Sequence, residues 1–213
     1  MIKIFLSTLM MMLLISTSAQ VRDKKASEIL DAVVEKTNSY ESFKADFDYT
    51  MLNQSAGIDE TKSGTIWVSG DKYRLNVAGQ VVICNGENLW TVLAEDEEVM
   101  LNAVEESDET ITPSNLLNKY NEKYKSRYTG EFTENGKTLQ TIELKPEEGK
   151  TYSKVEVVVD KDKKQIVSFT IFDKNGSIYS YNIKDFEADI PLSENMFVFS
   201  EEEYPDFYLI DMR

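Results

Sequence analysis

The chain has 213 residues, of which 38 are Asp or Glu, 23 are Lys or Arg and none is His, giving a formal net charge of −15. This acidic balance argues against nucleic acid and anionic membrane as partners, because both bind clustered Lys and Arg. The absence of His excludes Ser-His-Asp and Cys-His catalysis and histidine metal sites, and the single cysteine excludes an internal disulfide and a thiolate metal cluster.

The first residues have the pattern of a secretory signal peptide. Lys3 supplies a positive start, residues 4–15 are mostly apolar, and residues 17–19 (Thr-Ser-Ala) form a small-residue cleavage site. We therefore predict a signal peptide over residues 1–19 and one domain over residues 20–213, since this length suits a single core. The mature chain is expected to be soluble and exported.

The spacing of apolar residues changes from helical to strand periodicity after residue 40. Residues 26–37 place four apolar side chains on one helical face, and Ser27 is the expected N-cap. These four are Ile29, Leu30, Val33 and Val34. Over residues 43–51 apolar and polar side chains alternate, which predicts one long strand with one apolar face.

Ten further strands are predicted, separated by turn signals. The Asn-Gly pairs at residues 85–86, 135–136 and 175–176 are strong hairpin signals, and residues 70–71 and 78–79 mark further turns. The predicted strands cover residues 61–69, 72–78, 81–84, 88–94, 97–102, 123–133, 137–145, 152–160, 165–173 and 177–187. With the first strand, the sequence predicts about eleven strands.

Residues 111–122 (ITPSNLLNKYNE) interrupt the strands with a second predicted helix. Thr112 is the expected N-cap and Pro113 takes the first helical position, ahead of Leu116 and Leu117. An antiparallel meander of this size curls with its twist. The sequence therefore predicts a mainly β, α+β fold whose concave face is lined by alternating apolar side chains and filled or covered by two amphipathic helices.

Two remaining features each have two interpretations. Acid runs at residues 95–98, 105–109 and 201–203 favour a solvated surface, with a calcium or acid–base site as the alternative. The aromatic residues of the predicted strands, among them Trp67 and Trp90, line either a plain β core or a cavity. No catalytic, cofactor or metal site is predicted, and we expect the protein not to be an enzyme.

Several motifs, in order along the chain, resemble the LolA-type periplasmic lipoprotein carriers. Residues 42–47 (SFKADF) look like the start of that family's first strand, and residues 64–68 (GTIWV) are similar to its Gly-x-Leu-Trp-Val strand. Residues 85–92 (NGENLWTV) look like its Asp-Gly-x-x-Leu-Trp hairpin. Residues 112–117 (TPSNLL) fall where the family has a mid-chain helix, and residues 191–200 (PLSENMFVFS) resemble its final Phe-x-Phe strand.

This resemblance implies an unclosed antiparallel β-barrel of about eleven strands with a helical lid in its concave face. It also implies a periplasmic carrier that shields the acyl chains of lipoproteins in a hydrophobic cavity and does no chemistry on them. Cargo would come from an inner-membrane ABC-type lipoprotein-releasing transporter and go to an outer-membrane acceptor, whose identity the sequence leaves open. We expect a monomer.

The predicted acyl-chain cavity draws on the apolar residues of both helices and of the strands. The family commonly has Arg-Pro after its Trp-Val strand, and that Arg holds the lid; here Gly70 and Asp71 take that place, so Arg74 is the candidate lid latch. The predicted cavity residues are Leu30, Val33, Val34, Phe47, Tyr49, Trp67, Tyr73, Leu75, Val77, Leu89, Trp90, Leu116 and Leu117.

Three other functions stay open at the level of sequence. A sensor or regulatory module of related fold would bind a regulatory protein, and a carrier of another lipid would use the same cavity. An esterase or glycosidase needs paired catalytic acids in a cleft. Glu143 and Glu156 are the acids within predicted strands that would serve it.

Overall fold

The computed structural model describes residues 23–104, 120–146 and 149–213. These residues form helix α1 (Lys24–Asn38), the one-turn helix α2 (Tyr120–Lys123), a 3-10 helix (Glu194–Phe197) and twelve strands. The strands are β1 (Phe43–Asn53), β2 (Ile58–Ser69), β3 (Lys72–Val77), β4 (Gln80–Cys84), β5 (Asn88–Leu93), β6 (Glu98–Ala103), β7 (Tyr124–Glu134), β8 (Lys137–Pro146), β9 (Tyr152–Asp160), β10 (Gln165–Asp173), β11 (Ile178–Ala188) and β12 (Tyr208–Asp211).

The twelve strands of the described ranges belong to one sheet, in the order β12-β6-β5-β4-β3-β2-β1-β11-β10-β9-β8-β7. Two antiparallel meanders, β1–β6 and β7–β11, are joined side by side where β1 pairs with β11. β12 runs parallel to β6 at one edge, and β7 forms the other edge. The predicted mainly β, unclosed fold is confirmed, with one strand more than the eleven expected.

Two of the predicted hairpin turns have the backbone that closes a two-residue loop. Ala78 and Gly79 both have positive φ, at 54° and 81°, and Asn135 and Gly136 follow the same pattern at 51° and 77°. Two consecutive positive φ angles are typical of a type I′ turn, whose twist matches that of the flanking strands. These turns therefore fix the register of β3 with β4 and of β7 with β8.

Helix α1 begins two residues before the predicted range of 26–37, and its N-cap lies four residues before the predicted one. Its N-cap is Asp23, whose carboxylate accepts hydrogen bonds from the backbone N–H groups of Lys25 (3.1 Å) and Ala26 (3.2 Å). The backbone N–H of Ser27, the predicted cap, already donates to the Asp23 carbonyl (3.0 Å), so Ser27 lies inside the helix. The prediction of Ser27 as N-cap was wrong.

Helix α1 packs on one face of β7–β10, and we call this face of the sheet the inner face. The core between them includes Leu30 and Val33 of the helix and Ile142, Val157 and Phe169 of the strands. α1 contacts both β7 and β10, which are three strand spacings apart, or about 14 Å in a flat sheet. Helix α1 therefore spans all four strands of this half of the sheet.

One predicted segment lies mostly outside the described residues, and another has a different structure from the one predicted. The second predicted helix, with Leu116 and Leu117, lies mostly outside the described residues, and its end coincides with α2. Residues 191–200 contain the 3-10 helix and not the expected strand. Pro191 and the run Ser193-Glu194-Asn195 favour turns, which explains the change.

Gly64 supplies a stability test of the inner face, because it lies opposite Phe47 in the β1–β2 pair. A Cβ atom at Gly64 would lie 2.5 Å from Phe47 Cζ and 2.9 Å from the Asn76 carbonyl oxygen. We expect Gly64→Ala to lower the free energy of unfolding in urea by roughly 1–3 kcal/mol through overpacking. Gly130→Ala is the matched control, since nothing lies within 4 Å of its Cβ position; equal losses in both variants would contradict this account.

Candidate functional site

The register of the strands assigns each side chain to one face, because directly opposite residues share a face. Tyr49 pairs with Tyr181, which packs against the core under α1, so Tyr49 lies on the inner face. Side chains alternate along β1, so Lys44 lies on the face opposite Tyr49. Lys44 pairs with Trp67, and Trp67 pairs with Arg74. Trp67 and Arg74 therefore lie on the opposite face, which we call the outer face.

A row of inner-face side chains crosses the sheet from β11 to β6. Each member is the direct pairing partner of the next, and Thr91 is its single polar member. From β1 to β6 the row spans five strand spacings, or about 24 Å. The members of this cross-strand row are Phe186, Ala45, Ile66, Leu75, Val82, Thr91 and Met100.

Several apolar side chains of β3–β6 on the inner face keep partial exposure, whereas others on this face are buried. Leu75, Val82 and Met100 in the row are half-buried, and so are Tyr73 and Val77 on either side of Leu75. Burial raises the pKa of the Tyr73 hydroxyl, as is expected of a phenol with little access to solvent. This part of the inner face is apolar without being packed as a closed core.

An apolar cavity of about 70 Å³ lies beside the last turn of α1, at one end of the cross-strand row. Ala45, Ile66 and Phe186 of the row line it, together with Thr37 at the end of α1 and Tyr40 just after it. Pockets that hold a drug-sized ligand usually measure about 300–1,000 Å³. The cavity in this conformation is therefore too small for a whole acyl chain.

The outer face of β3–β6 is covered by residues 190–207, which we call the C-terminal segment. Phe197 of this segment is buried, and Phe199 stacks on Trp90 with ring centroids 6.3 Å apart. The outer-face residues Ile83 and Val99 are fully buried beneath it. This layer explains why β4 and β5 carry apolar side chains on both faces.

Arg74 is held by the C-terminal segment. Its guanidinium donates hydrogen bonds to the Met196 carbonyl oxygen (3.5 Å), the Glu203 carboxylate (3.1 Å) and the Tyr204 hydroxyl (3.2 Å). All three partners lie in that segment, on the face of the sheet opposite α1. These contacts give Arg74 a role in fixing the C-terminal segment, and its role as a lid latch stays a prediction.

Helix α1 is held by polar contacts near its N-terminal end. The second carboxylate oxygen of Asp23 accepts a hydrogen bond from the backbone N–H of Tyr128 (2.8 Å), and the ammonium of Lys25 lies 3.6 Å from the centroid of the Tyr128 ring. The hydroxyl of Tyr120 donates to the carboxylate of Asp31. These contacts tie the first half of α1 to α2 and β7, whereas its last turn borders the cavity.

The structure divides the predicted cavity residues into groups. One group lies on the inner face of β1–β5: Phe47, Tyr49, Tyr73, Leu75, Val77 and Leu89. Leu30 and Val33 of α1 are fully buried in the core against β7–β10, with Val34 at its margin. Trp67 and Trp90 lie on the outer face and do not join the others, and Leu116 and Leu117 lie outside the described residues.

The prediction missed the residues that line the cavity beside α1. Phe43 and Ala45 continue the alternation of Phe47 and Tyr49, so the pattern of β1 is sufficient to include them. Ile183 and Phe186 are not predictable in this way, since a register shift interrupts the pairing of β11 with β1 beside Phe47. Pairing in three dimensions is needed to find them.

The acids proposed for an enzyme lie together on the outer face, because Glu143 pairs with Glu156. Burial acts to raise the pKa of Glu143, but the hydrogen bond from Lys154 (3.3 Å) and the charge of Arg127 outweigh it, so this pKa lies below its usual range. Glu143 is therefore an ion-paired carboxylate.

Neither a metal cluster nor a membrane helix is found in the part of the chain that the structure describes. In residues 23–104, 120–146 and 149–213, no group of three or more Cys, Asp or Glu side chains is arranged to hold a metal ion. No helix in these ranges is long and apolar enough to cross a bilayer.

The sequence matches the protein family described as outer membrane lipoprotein carrier protein LolA over residues 38–200. The comparison with curated proteins gives no match. Among solved structures, the chain is similar to an uncharacterized conserved protein from Thermus thermophilus, with 13% identity, a TM-score of 0.60, and coverage of 88% of this chain and 99% of that chain.

Two further solved structures are similar at comparable identity. The lipoprotein LppX from Mycobacterium tuberculosis has 12% identity and a TM-score of 0.51, covering 80% of this chain and 98% of that chain. A LolA superfamily protein from Nitrosomonas europaea has 12% identity and a TM-score of 0.45, covering 82% and 97%. At such identities the similarities to the Thermus protein and to LppX show the fold alone.

The Asp23 contacts predict a pH dependence for the docking of α1. Hydrogen bonds from the backbone N–H groups of Tyr128 and Ala26 hold the pKa of Asp23 below its usual 3.8. Its carboxylate therefore stabilises the docked helix above pH 3.8, and this contribution is lost as the pH falls through the lowered pKa. NMR of the Ala26 and Tyr128 amides should show one common acid transition; Asp23→Asn, which keeps a capping oxygen, should abolish it.

The contacts of Arg74 predict which backbone amides will exchange faster when its side chain is replaced. Arg74→Leu should speed amide hydrogen exchange in residues 194–207 by about tenfold, because charged hydrogen bonds are lost, and should leave exchange in α1 unchanged. The control is Lys72→Leu, which removes only an exposed ion pair to Glu194 and should have a smaller effect. Faster exchange in α1 in the Arg74 variant would instead support the latch.

Proposed function

This chain belongs to the LolA family of outer membrane lipoprotein carrier proteins, and from that premise we propose that it is a periplasmic carrier of acylated lipoproteins. It shields their acyl chains on the inner face of the sheet. It receives cargo from an inner-membrane ABC-type transporter and delivers it to an outer-membrane acceptor. The observation that carries this proposal is the cross-strand row, whose members on β3, β4 and β6 are apolar and half-buried and whose other end lines the cavity beside α1. The signal peptide predicted over residues 1–19 would supply the export that the proposal requires.

The energy of an acyl chain in water sets what such a carrier must provide. At about 0.8 kcal/mol per methylene, the transfer of a sixteen-carbon chain from a membrane to water costs roughly 12 kcal/mol of free energy. A chain lying along the cross-strand row would contact Ile66, Leu75, Val82 and Met100 in turn. Apart from Thr91, the row thus offers apolar area along its length, which suits a flexible hydrocarbon ligand that forms no hydrogen bonds.

Loading requires helix α1 to move, because the cavity of about 70 Å³ is far smaller than a chain. The polar contacts of the helix lie in its first half, at Asp23, Lys25 and Asp31. Its other end is followed by Tyr40, which packs on Phe186 with ring centroids 5.6 Å apart. We infer that the C-terminal end of α1 lifts while the N-terminal end stays anchored, which opens the cavity into the row.

A carrier must also release its cargo, and the composition of the inner face suits weak, adaptable binding. Met51 and Met100 lie on this face, and methionine side chains fill irregular spaces without a fixed shape. Tyr49 and Tyr73 add broad aromatic area. Such a lining holds hydrocarbon by area and gives it up when a receptor offers a similar environment.

A photo-crosslinking pair tests the proposal directly. Benzoylphenylalanine at Leu75, in the centre of the row, should crosslink to acylated lipoprotein in the periplasm. The same group at Trp67, on the neighbouring strand β2 but on the outer face, is the matched control and should not. Intact mass spectrometry of the Leu75 adduct, with and without removal of acyl chains, identifies what is bound.

The outcomes separate the proposed function from its alternatives. Adducts with acylated lipoproteins support the lipoprotein carrier, and adducts with a free lipid alone indicate a carrier of another lipid. Adducts with an unacylated protein at Leu75 would indicate a regulatory binding module. Equal crosslinking at Leu75 and Trp67 would show that the inner face is not the binding site.

A further inference from the structure

The outer edge of β12 is a free strand edge. In the parallel pair with β6, the backbone N–H of Tyr208 donates to the Glu97 carbonyl (2.8 Å) and that of Met212 donates to the Leu101 carbonyl (2.9 Å). Alternate residues of a strand bond to the same neighbour, so Leu209 and Asp211 direct their N–H and C=O groups away from β6. Within the described residues, β12 ends the strand order and nothing pairs with this edge.

Exposed apolar side chains cluster along the same strand. Tyr208 is 71% exposed, Leu209 39% and Met212 51%. Single exposed apolar residues are normal on a protein surface, but a contiguous group on an unpaired edge marks an interaction site. Pairing puts Tyr208 on the inner-face side and Leu209 on the outer-face side, so a strand added here would contact apolar surface on both sides.

The negative charge around β12 favours a basic partner. Acidic residues surround its start, and none of them forms an ion pair with a described Lys or Arg. The nearby cations Arg74 and Arg213 are already paired, with Glu203 and Asp211. The unpaired acids are Glu95, Asp96, Glu97, Glu98, Glu201, Glu202 and Asp206.

A second copy of the chain does not fit this edge. Pairing β12 with its own copy would bring two such acidic groups together in a protein whose net charge is already −15. The other edge strand, β7, is a weaker candidate, because a register shift between Tyr128 and Gly130 interrupts its ladder.

We propose that the outer edge of β12 binds an extended basic segment of a partner protein, which joins the sheet as a further strand. Main-chain hydrogen bonds to Leu209 and Asp211 provide binding. In the partner segment, Lys or Arg side chains alternate with apolar ones; the basic side chains pair with the acids, and the apolar ones contact Tyr208. In the strand order, this site lies at the opposite end of the sheet from β7–β10, on which α1 packs. It is independent of the acyl-chain proposal.

The test uses a blocked nine-residue peptide of alternating Lys and Val, with the matching Glu and Val peptide as its control. Titration followed by NMR should shift and protect the amides of Leu209 and Asp211 with the Lys peptide alone, and salt should weaken binding. Leu209→Pro removes one outward N–H without touching the bonds to β6. It should weaken binding by about tenfold relative to Leu209→Ala, which keeps that N–H.

A second variant keeps the test decisive if Leu209→Pro disturbs the fold. The triple change Glu201→Gln, Glu202→Gln and Asp206→Asn leaves the backbone of β12 intact and should weaken the Lys peptide several-fold. Three results would each overturn the proposal: equal binding of the Glu peptide, unchanged binding to both variants, or amide shifts confined to the inner face of β1–β5.

Discussion

The pairing of β1 with β11 is the constraint on which the rest of the structure depends. It joins the two meanders into one sheet and brings Tyr181 between Phe47, Tyr49 and Phe169, with ring centroids 5.8, 5.1 and 4.4 Å away. Tyr181 packs against the core under α1 and against the buried apolar side chains of β1 and β2, and its burial raises its pKa to about 12. Because side chains alternate along a strand, a slip of one residue here would turn one meander's apolar side chains away from α1.

Given this join, the two halves of the sheet are covered on opposite faces. Helix α1 covers the inner face of β7–β10, whose outer face carries ion pairs such as Glu143 with Arg127 (3.0 Å). The C-terminal segment covers the outer face of β3–β6, where Phe197 and Ile83 are buried. The inner face of β3–β6 is the surface that keeps half-buried apolar residues, and it is continuous with the cavity beside α1.

This arrangement explains which parts of the fold the sequence predicts. β1 alternates cleanly between apolar and polar residues because only its inner face is buried, so its start and its buried face follow from the pattern, although the strand continues two residues beyond residue 51. In β4 and β5 (QVVIC and NLWTVL) both faces are apolar, and periodicity does not say which face lines a cavity. The sequence therefore groups Trp67 with Tyr73, although Trp67 pairs with Lys44 on the outer face. The covering segment comes about 100 residues later in the chain, and four-residue β12 is too short to stand out.

Strands with apolar side chains on both faces can be held in a sheet by one face while the other face stays open to a hydrocarbon ligand. A sheet whose inner face must stay open for a ligand loses the burial that would normally hold its strands, at about 25 cal/mol per Å². Here β3–β6 regain that burial on the outer face, through Phe197 and through the stacking of Phe199 on Trp90 and Tyr204. The inner face of these strands is thereby freed from holding the fold together. Under the proposed function, a ligand that enters the cross-strand row would leave in place the packing that holds β3–β6 in the sheet.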